Sequence, residues 1–193
     1  MRTVTRDELV FDVTADGPPG GEPVVLLHGF PQTARCWELL TPLLTAQGLR
    51  TVALRFANVY GPRSELKKGA VTAFIQRALR GDALPIYGDG AATRDFIYVD
   101  DLCQGIVLGL EHPDARGVFH LASERETAIA ELAGLVVGAT GADVPIEHLP
   151  PRPGEVERNF ASCELARRTL GFAPGVDLEE GLARTVAWFR AAG

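Results

Sequence analysis

The chain has 193 residues, 46% of them hydrophobic and 23% charged, which suits one soluble globular domain with a sizeable core. Its net charge of −6 disfavours nucleic acid and anionic membranes as partners, and no apolar stretch is long enough to span a bilayer. Cys36, Cys103 and Cys163 are far apart and, with four histidines, show no metal-type spacing, so no metal is expected. Free thiols in a reducing cytosol fit this count, and the opening Met1-Arg2-Thr3-Val4 lacks an apolar signal core, so a cytoplasmic location is expected.

Residues 8–15 alternate like a strand with one wet face, and Gly17-Pro18-Pro19-Gly20-Gly21 reads as a turn. Val24 to Leu27 is a continuous apolar run, expected as a strand buried on both faces. A helix is expected from about Thr33, with Trp37, Leu40, Leu43 and Leu44 on one face, limited by Pro42. Thr51 to Leu54 predicts a second buried strand, followed by a loop at Asn58-Val59-Tyr60-Gly61-Pro62-Arg63.

Val71 to Leu79 predicts a helix stopped by Gly81, and Leu84 to Tyr87 an extended piece leading into the turn Gly88-Asp89-Gly90. Phe96 to Val99 predicts a strand. Asp100 and Asp101 then sit where a helix N-terminus prefers carboxylates, and that helix runs to about Leu110. Val118 to Leu121 is expected as a strand, Thr127 to Ala139 as a helix and Val144 to His148 as extended chain. Pro150-Pro151-Arg152-Pro153-Gly154 is a rigid loop, Ser162 caps a short helix ending at Gly171, and Leu178 to Phe189 is amphipathic. Alternation of strand and helix makes the class α/β, a small, mostly parallel sheet with flanking helices.

Val24-Val25-Leu26-Leu27-His28-Gly29-Phe30-Pro31-Gln32 resembles the strand and oxyanion loop of α/β-hydrolases, in the epoxide-hydrolase and haloacid-dehalogenase-like branch. The resemblance makes His28, Gly29 and Phe30 an oxyanion-loop remnant. Gly29 would permit the sharp turn that aims a backbone N–H at an oxyanion. No Gly-x-Ser-x-Gly elbow follows, and Ser64, Ser123 and Ser162 stand in no nucleophile context. The plainer reading of His28 is a loop residue that orders its turn.

Leu54-Arg55-Phe56-Ala57-Asn58-Val59-Tyr60-Gly61-Pro62-Arg63 resembles the extended short-chain dehydrogenase/reductases of the NAD-dependent epimerase/dehydratase family. The resemblance continues through Leu84 to Gly90, Thr93-Arg94-Asp95-Phe96-Ile97-Tyr98-Val99-Asp100-Asp101, Gly117 to Ser123, Pro151-Arg152-Pro153-Gly154-Glu155 and Leu170 to Pro174. It implies two parts: residues 1–53, a hydrolase-like fragment, and residues 54–193, a substrate-binding part that grips a nucleoside-diphosphate sugar, in an apparent chimera. By resemblance Asn58 and Arg94 hold the pyrophosphate and Arg152 is a second phosphate arginine. Glu155 accepts from ribose hydroxyls, and Pro85 and Tyr87 flank the base. Guanidinium forks suit pyrophosphate and a carboxylate suits a diol. The plainer readings are an Arg94–Asp95 surface ion pair, loop polarity at Arg152 and Glu155, and a core ring at Tyr87.

The family binds NAD on a Gly-rich turn between strand and helix. Residues 17–21 have the wrong spacing and join strand to strand, so no cofactor is expected for this chain. The family's catalytic Tyr and a Lys four residues later are also missing. Tyr60, Tyr87 and Tyr98 are followed at that distance by Ser64, Ala91 and Leu102. No catalytic residue is therefore expected, and a nucleotide-sugar-binding remnant is the leading reading. The alternatives are an enzyme completed by another chain, a hydrolase fragment, and a recombination or gene-model product without function. Without a full cofactor half, apolar surface is expected to be left exposed and to invite homodimers or association.

Overall fold

The computed structural model describes the backbone of residues 2–6, 9–13, 18, 20–28 and 34–192, and the side chains of residues 18, 20–27 and 36–192. The chain opens with β1 (Arg2–Arg6), β2 (Leu9–Val13) and β3 (Pro23–His28), a 3-10 turn at Ala34–Trp37, and α1 (Leu40–Ala46). β4 (Arg50–Phe56), β5 (Asn58–Tyr60), α2 (Ala70–Arg80), β6 (Leu84–Tyr87), β7 (Thr93–Arg94) and β8 (Phe96–Tyr98) follow. Then come α3 (Val99–Glu111), β9 (Gly117–Leu121), β10 (Thr127–Ala128), α4 (Ile129–Thr140), β11 (Ile146–Leu149), β12 (Arg158–Asn159), α5 (Glu164–Leu170) and α6 (Leu178–Ala192).

Five strand pairings are parallel and two antiparallel among the described residues. The class is mixed α/β with small, mostly parallel sheets and flanking helices, as expected from the sequence. The chain divides into two compact units that are not consecutive in sequence. One comprises residues 1–56, 102–121 and 162–173, the other 57–101, 122–161 and 174–193.

In the first unit β3, β4 and β9 form a parallel sheet with β4 central. Val52 and Leu54 on β4, Phe119 and Leu121 on β9, and Phe172 are buried. Arg50 is buried too. Its guanidinium donates to the carbonyls of Ala115 at 2.8 Å and Leu110 at 3.0 Å, so the charge is solvated by backbone. Two expectations fail here. Among the described residues β3 is an edge strand, on which Leu26 is buried while Leu27 is 41% exposed. The helix expected from Thr33 is a 3-10 turn followed by α1, with Leu40 and Leu43 exposed. Pro42 has no N–H to close a first-turn hydrogen bond, which fits a helix that starts only two residues before it.

The second unit carries a core of Phe74, Ile75, Leu84, Ile86, Leu132, Val136 and Leu182, with α2, α4 and α6 packed around it. Helix α2 stops where expected, at Gly81 with φ 78°. Thr127, expected to open a helix, instead pairs with Arg94 in a short strand, and α4 begins at Ile129. The result is a three-stranded patch with β7 between β10 and β12. Asp100 and Asp101 lie in the first turn of α3, as expected, and Asp101 has a further task. Its carboxylate accepts from the N–H groups of Gly175 and Val176, at 2.9 and 3.1 Å, and so anchors the approach to α6.

Candidate functional site

The second unit holds a cavity of about 190 Å³ whose walls include Asn58, Lys67, Gly69, Thr72, Arg94 and Glu155. Asn58 opens β5 opposite Phe96 of β8, and both its backbone N–H and its Nδ2 donate to the Asp95 carbonyl at 2.9 Å. Arg94 ends β7 and is paired on both sides, with Thr127 and with Asn159. Its backbone is therefore fixed, while its side chain reaches the cavity.

The Arg94 guanidinium is occupied by the protein's own acceptors. Nη1 donates to the carbonyls of Thr93 at 2.7 Å and Val156 at 2.6 Å. Nη2 lies 3.5 Å from Glu155 Oε1, with the two side chains 18% and 32% exposed. Lys67 donates to the Val59 carbonyl, and burial pulls its ammonium below the usual lysine pKa. Helix α2 begins at this wall, with Gly69 as an N-cap that offers no side chain to its first N–H groups. The helix was expected from Val71, one residue after its observed start, but neither that start nor Lys67 was nominated for the site. The motif that pointed to the loop ended at Arg63, and a glycine N-cap carries little signal of its own.

Pro85, Tyr87 and Arg152 lie outside the walls of this cavity. Tyr87 ends β6, and the Arg152 guanidinium sits over its ring, 3.5 Å from the centroid. Arg152 was expected to face the same pyrophosphate as Arg94. Here it is held instead by the aromatic face, a contact that a flat cation makes readily. Pro85 shares a strand face with Tyr87, two residues away.

The surface ion pair considered for Arg94 and Asp95 is not formed. Asp95 is fully buried, and its carboxylate accepts from Ser123 N–H and Oγ at 2.8 Å and from Glu124 N–H at 3.1 Å. Burial pushes its pKa above the ordinary carboxylate value, and these hydrogen bonds pull the other way. Asp95 thus ties the 123–124 loop to the strand that carries Arg94. Its place after an arginine in the sequence gave no sign of this.

Among the described residues no hydrogen bond joins a tyrosine hydroxyl to a lysine ammonium. The Tyr60 hydroxyl lies 3.4 Å from the carbonyls of Asp177 and Leu178, and burial pushes its pKa well up. Ser123 Oγ is spent on Asp95, and no metal-binding cluster occurs among the described residues. Gly29 and Phe30 lie outside the described residues, as does the His28 side chain. Of the described glycines before β3, Gly21 has a structural use. A Cβ on Gly21 would meet the Gly48 carbonyl oxygen at 2.2 Å, and the next element is a strand rather than a helix. The described residues Gly20 to Glu22 lead into a strand and do not present the helix N-terminus that the pyrophosphate of NAD needs at such a turn.

Comparison with known proteins places this geometry. The UDP-glucose 4-epimerase of Mycolicibacterium smegmatis is 38% identical over 136 residues, covering 69% of this chain and 44% of that protein. The crystal structure of the Thermotoga maritima UDP-glucose 4-epimerase with UDP-glucose superposes with a TM-score of 0.81 at 31% identity, covering 90% of this chain and 65% of that one. The Thermus thermophilus UDP-glucose 4-epimerase, solved with NAD, gives a TM-score of 0.75 at 26% identity, covering 89% and 65%. The fold is therefore of the nucleotide-sugar epimerase type, while the chain spans less than half the length of the curated relative. No described helix is long and apolar enough to cross a membrane. The family match opens inside the segment assigned on sequence to a hydrolase-like fragment: residues 36–122 match the NAD dependent epimerase/dehydratase family.

Proposed function

We propose that this chain is a nucleotide-sugar-binding part of an NAD-dependent epimerase/dehydratase, without independent catalysis. One observation carries the reading. Asn58, Arg94 and Glu155, nominated from three separate motifs, line a single cavity. In this reading Arg94, Asn58 and the start of α2 hold the diphosphate, and Glu155 accepts from the ribose hydroxyls. Pro85 and Tyr87 flank the base, and Arg152 leaves Tyr87 to join the phosphates. The family's cofactor supplies hydride transfer, and this chain's residues bind and orient the sugar nucleotide. Residues 1–53 are read as a hydrolase-derived segment on the strength of the Val24–Gln32 motif alone, with no turnover of ester, epoxide or haloacid substrates expected.

Calorimetry with UDP, dTDP and NAD tests the proposal. The chain is expected to bind a nucleoside diphosphate and not NAD. Arg94→Lys is expected to weaken UDP roughly tenfold, because the charge stays but the fork is lost, and Arg94→Ala further. Equal UDP affinity in wild type and Arg94→Ala would remove Arg94 from the site, and micromolar NAD binding would restore an enzyme reading.

A second reading, an enzyme whose cofactor half is supplied by another chain, is favoured by the exposed edge strand β3. Its signature is turnover of a nucleotide sugar that appears only when a cofactor-binding partner is added.

A further inference from the structure

We propose that Glu155 makes the site selective for a nucleoside diphosphate over a bare pyrophosphate, by acting as the resident counter-ion of Arg94. The inference rests on the function proposed above and assigns Glu155 a second task there. Glu155 Oε1 stands 3.5 Å from Arg94 Nη2, and the next residue's carbonyl takes Nη1 at 2.6 Å. The segment that carries the carboxylate therefore grips the guanidinium at two points. Thr93 supplies a third acceptor from the strand itself.

An anion arriving at Arg94 meets this carboxylate before it meets a free cation. Both side chains are partly buried, so the repulsion between carboxylate and phosphate is only partly screened. A bare pyrophosphate exchanges one counter-ion of Arg94 for another. It brings no neutral hydroxyl pair to the carboxylate it displaces, only a highly charged anion, so the exchange leaves a charged acceptor poorly partnered. A nucleoside diphosphate brings both groups. Its phosphates take the guanidinium, and its ribose hydroxyls donate to the freed carboxylate. Selectivity then comes from a penalty imposed on the wrong ligand as well as from contacts with the right one.

The position suits the task. Glu155 lies in loop between β11 and β12, so the side chain can turn without breaking a strand pairing. The start of α2 and Lys67 line the same cavity, so the site retains positive character for the incoming phosphates once Glu155 has moved.

The test is calorimetry of UDP and of inorganic pyrophosphate with the wild-type chain, Glu155→Gln and Glu155→Ala. Removing the charge is expected to tighten pyrophosphate by about tenfold, the effect of one like charge at this depth. UDP is expected to bind no tighter, since its ribose hydroxyls lose a charged acceptor, replaced by a neutral one in Glu155→Gln and by none in Glu155→Ala, as its phosphates lose the repulsion. The preference for UDP over pyrophosphate should therefore fall by about tenfold or more in both variants. Pyrophosphate affinity that is unchanged or weaker in both variants overturns the counter-ion role and leaves the nucleotide site standing. A wild-type chain that binds pyrophosphate but not UDP overturns the nucleotide reading, and the selectivity with it.

Discussion

At the scale of single residues, side chains of like charge do different work according to what surrounds them. Arg94 and Glu155 belong to recognisable motifs and meet in the structure. Asp95 and Glu126 carry equal charge and have opposite environments that no local pattern reveals. Asp95 is buried and its pKa is raised. Taken alone, it makes the chain less stable as pH rises through its folded pKa, because the folded state then gives up a proton it holds more tightly. Glu126 accepts from Thr93 Oγ1 at 2.5 Å and from Arg158 at 2.6 and 2.7 Å, which draws its pKa down to about 2 from an ordinary 4.5. The sign is then reversed. Its contribution is present above pH 4.5 and is lost as pH falls toward 2. Urea unfolding of wild type and Glu126→Gln between pH 6 and pH 2 should show the variant less stable at pH 6 and level with wild type by about pH 2. The gap should be modest, because Arg158 is largely exposed. A gap of the same size at every pH would show that the ion pair contributes nothing through its charge.

At the scale of elements, helices that end in glycine were read correctly to within a residue or two. Gly81 and Gly171 take left-handed conformations that terminate α2 and α5. Short strands were missed. β10 and β12 have two residues each, too few for a period of two to register, and exist because β7 lies between them. The placement of α6 was also not legible, since it depends on a contact across 121 residues of sequence. A Cβ on Gly181 would lie 2.1 Å from Tyr60 Oη and 2.7 Å from Cζ. The ring cannot easily retreat, being buried and set edge-on to Phe96 and Tyr98 at centroid distances of 6.5 and 5.6 Å. Two effects therefore compete in Gly181→Ala. Helix propensity favours alanine by about 1 kcal/mol, and overpacking against a fixed ring costs about 1–3 kcal/mol. The steric cost should win, lowering stability in urea by up to about 2 kcal/mol. A variant more stable than wild type would show that Tyr60 yields and that α6 is held elsewhere.

At the scale of the whole molecule, the determining feature is a parallel sheet that ends early. Parallel strands are normally covered on both faces, and the continuous apolar run of β3 led to that expectation. In the first unit β3 is instead an edge, Leu27 is 41% exposed, and Leu39 and Leu43 are 88% and 66% exposed. Sequence pattern records only that a strand is apolar, not whether a neighbour is present to use it. Such surface favours association, and the magnitudes indicate that it should prevail over the net charge. Burying one leucine gains about 1.5–3 kcal/mol, so a few leucines from each copy outweigh the repulsion of −6 spread over a surface at physiological salt. Sedimentation velocity should therefore show the average sedimentation coefficient of the wild-type chain rising with concentration. Leu39→Gln combined with Leu43→Gln should move it toward the monomer value. UDP affinity should be unchanged by the pair, because Asn58, Arg94 and Glu155 belong to the other unit. A wild-type chain that stays monomeric at every concentration tested would mean that these leucines are tolerated as scattered surface residues. Loss of UDP binding in the double variant would mean instead that the site depends on the first unit.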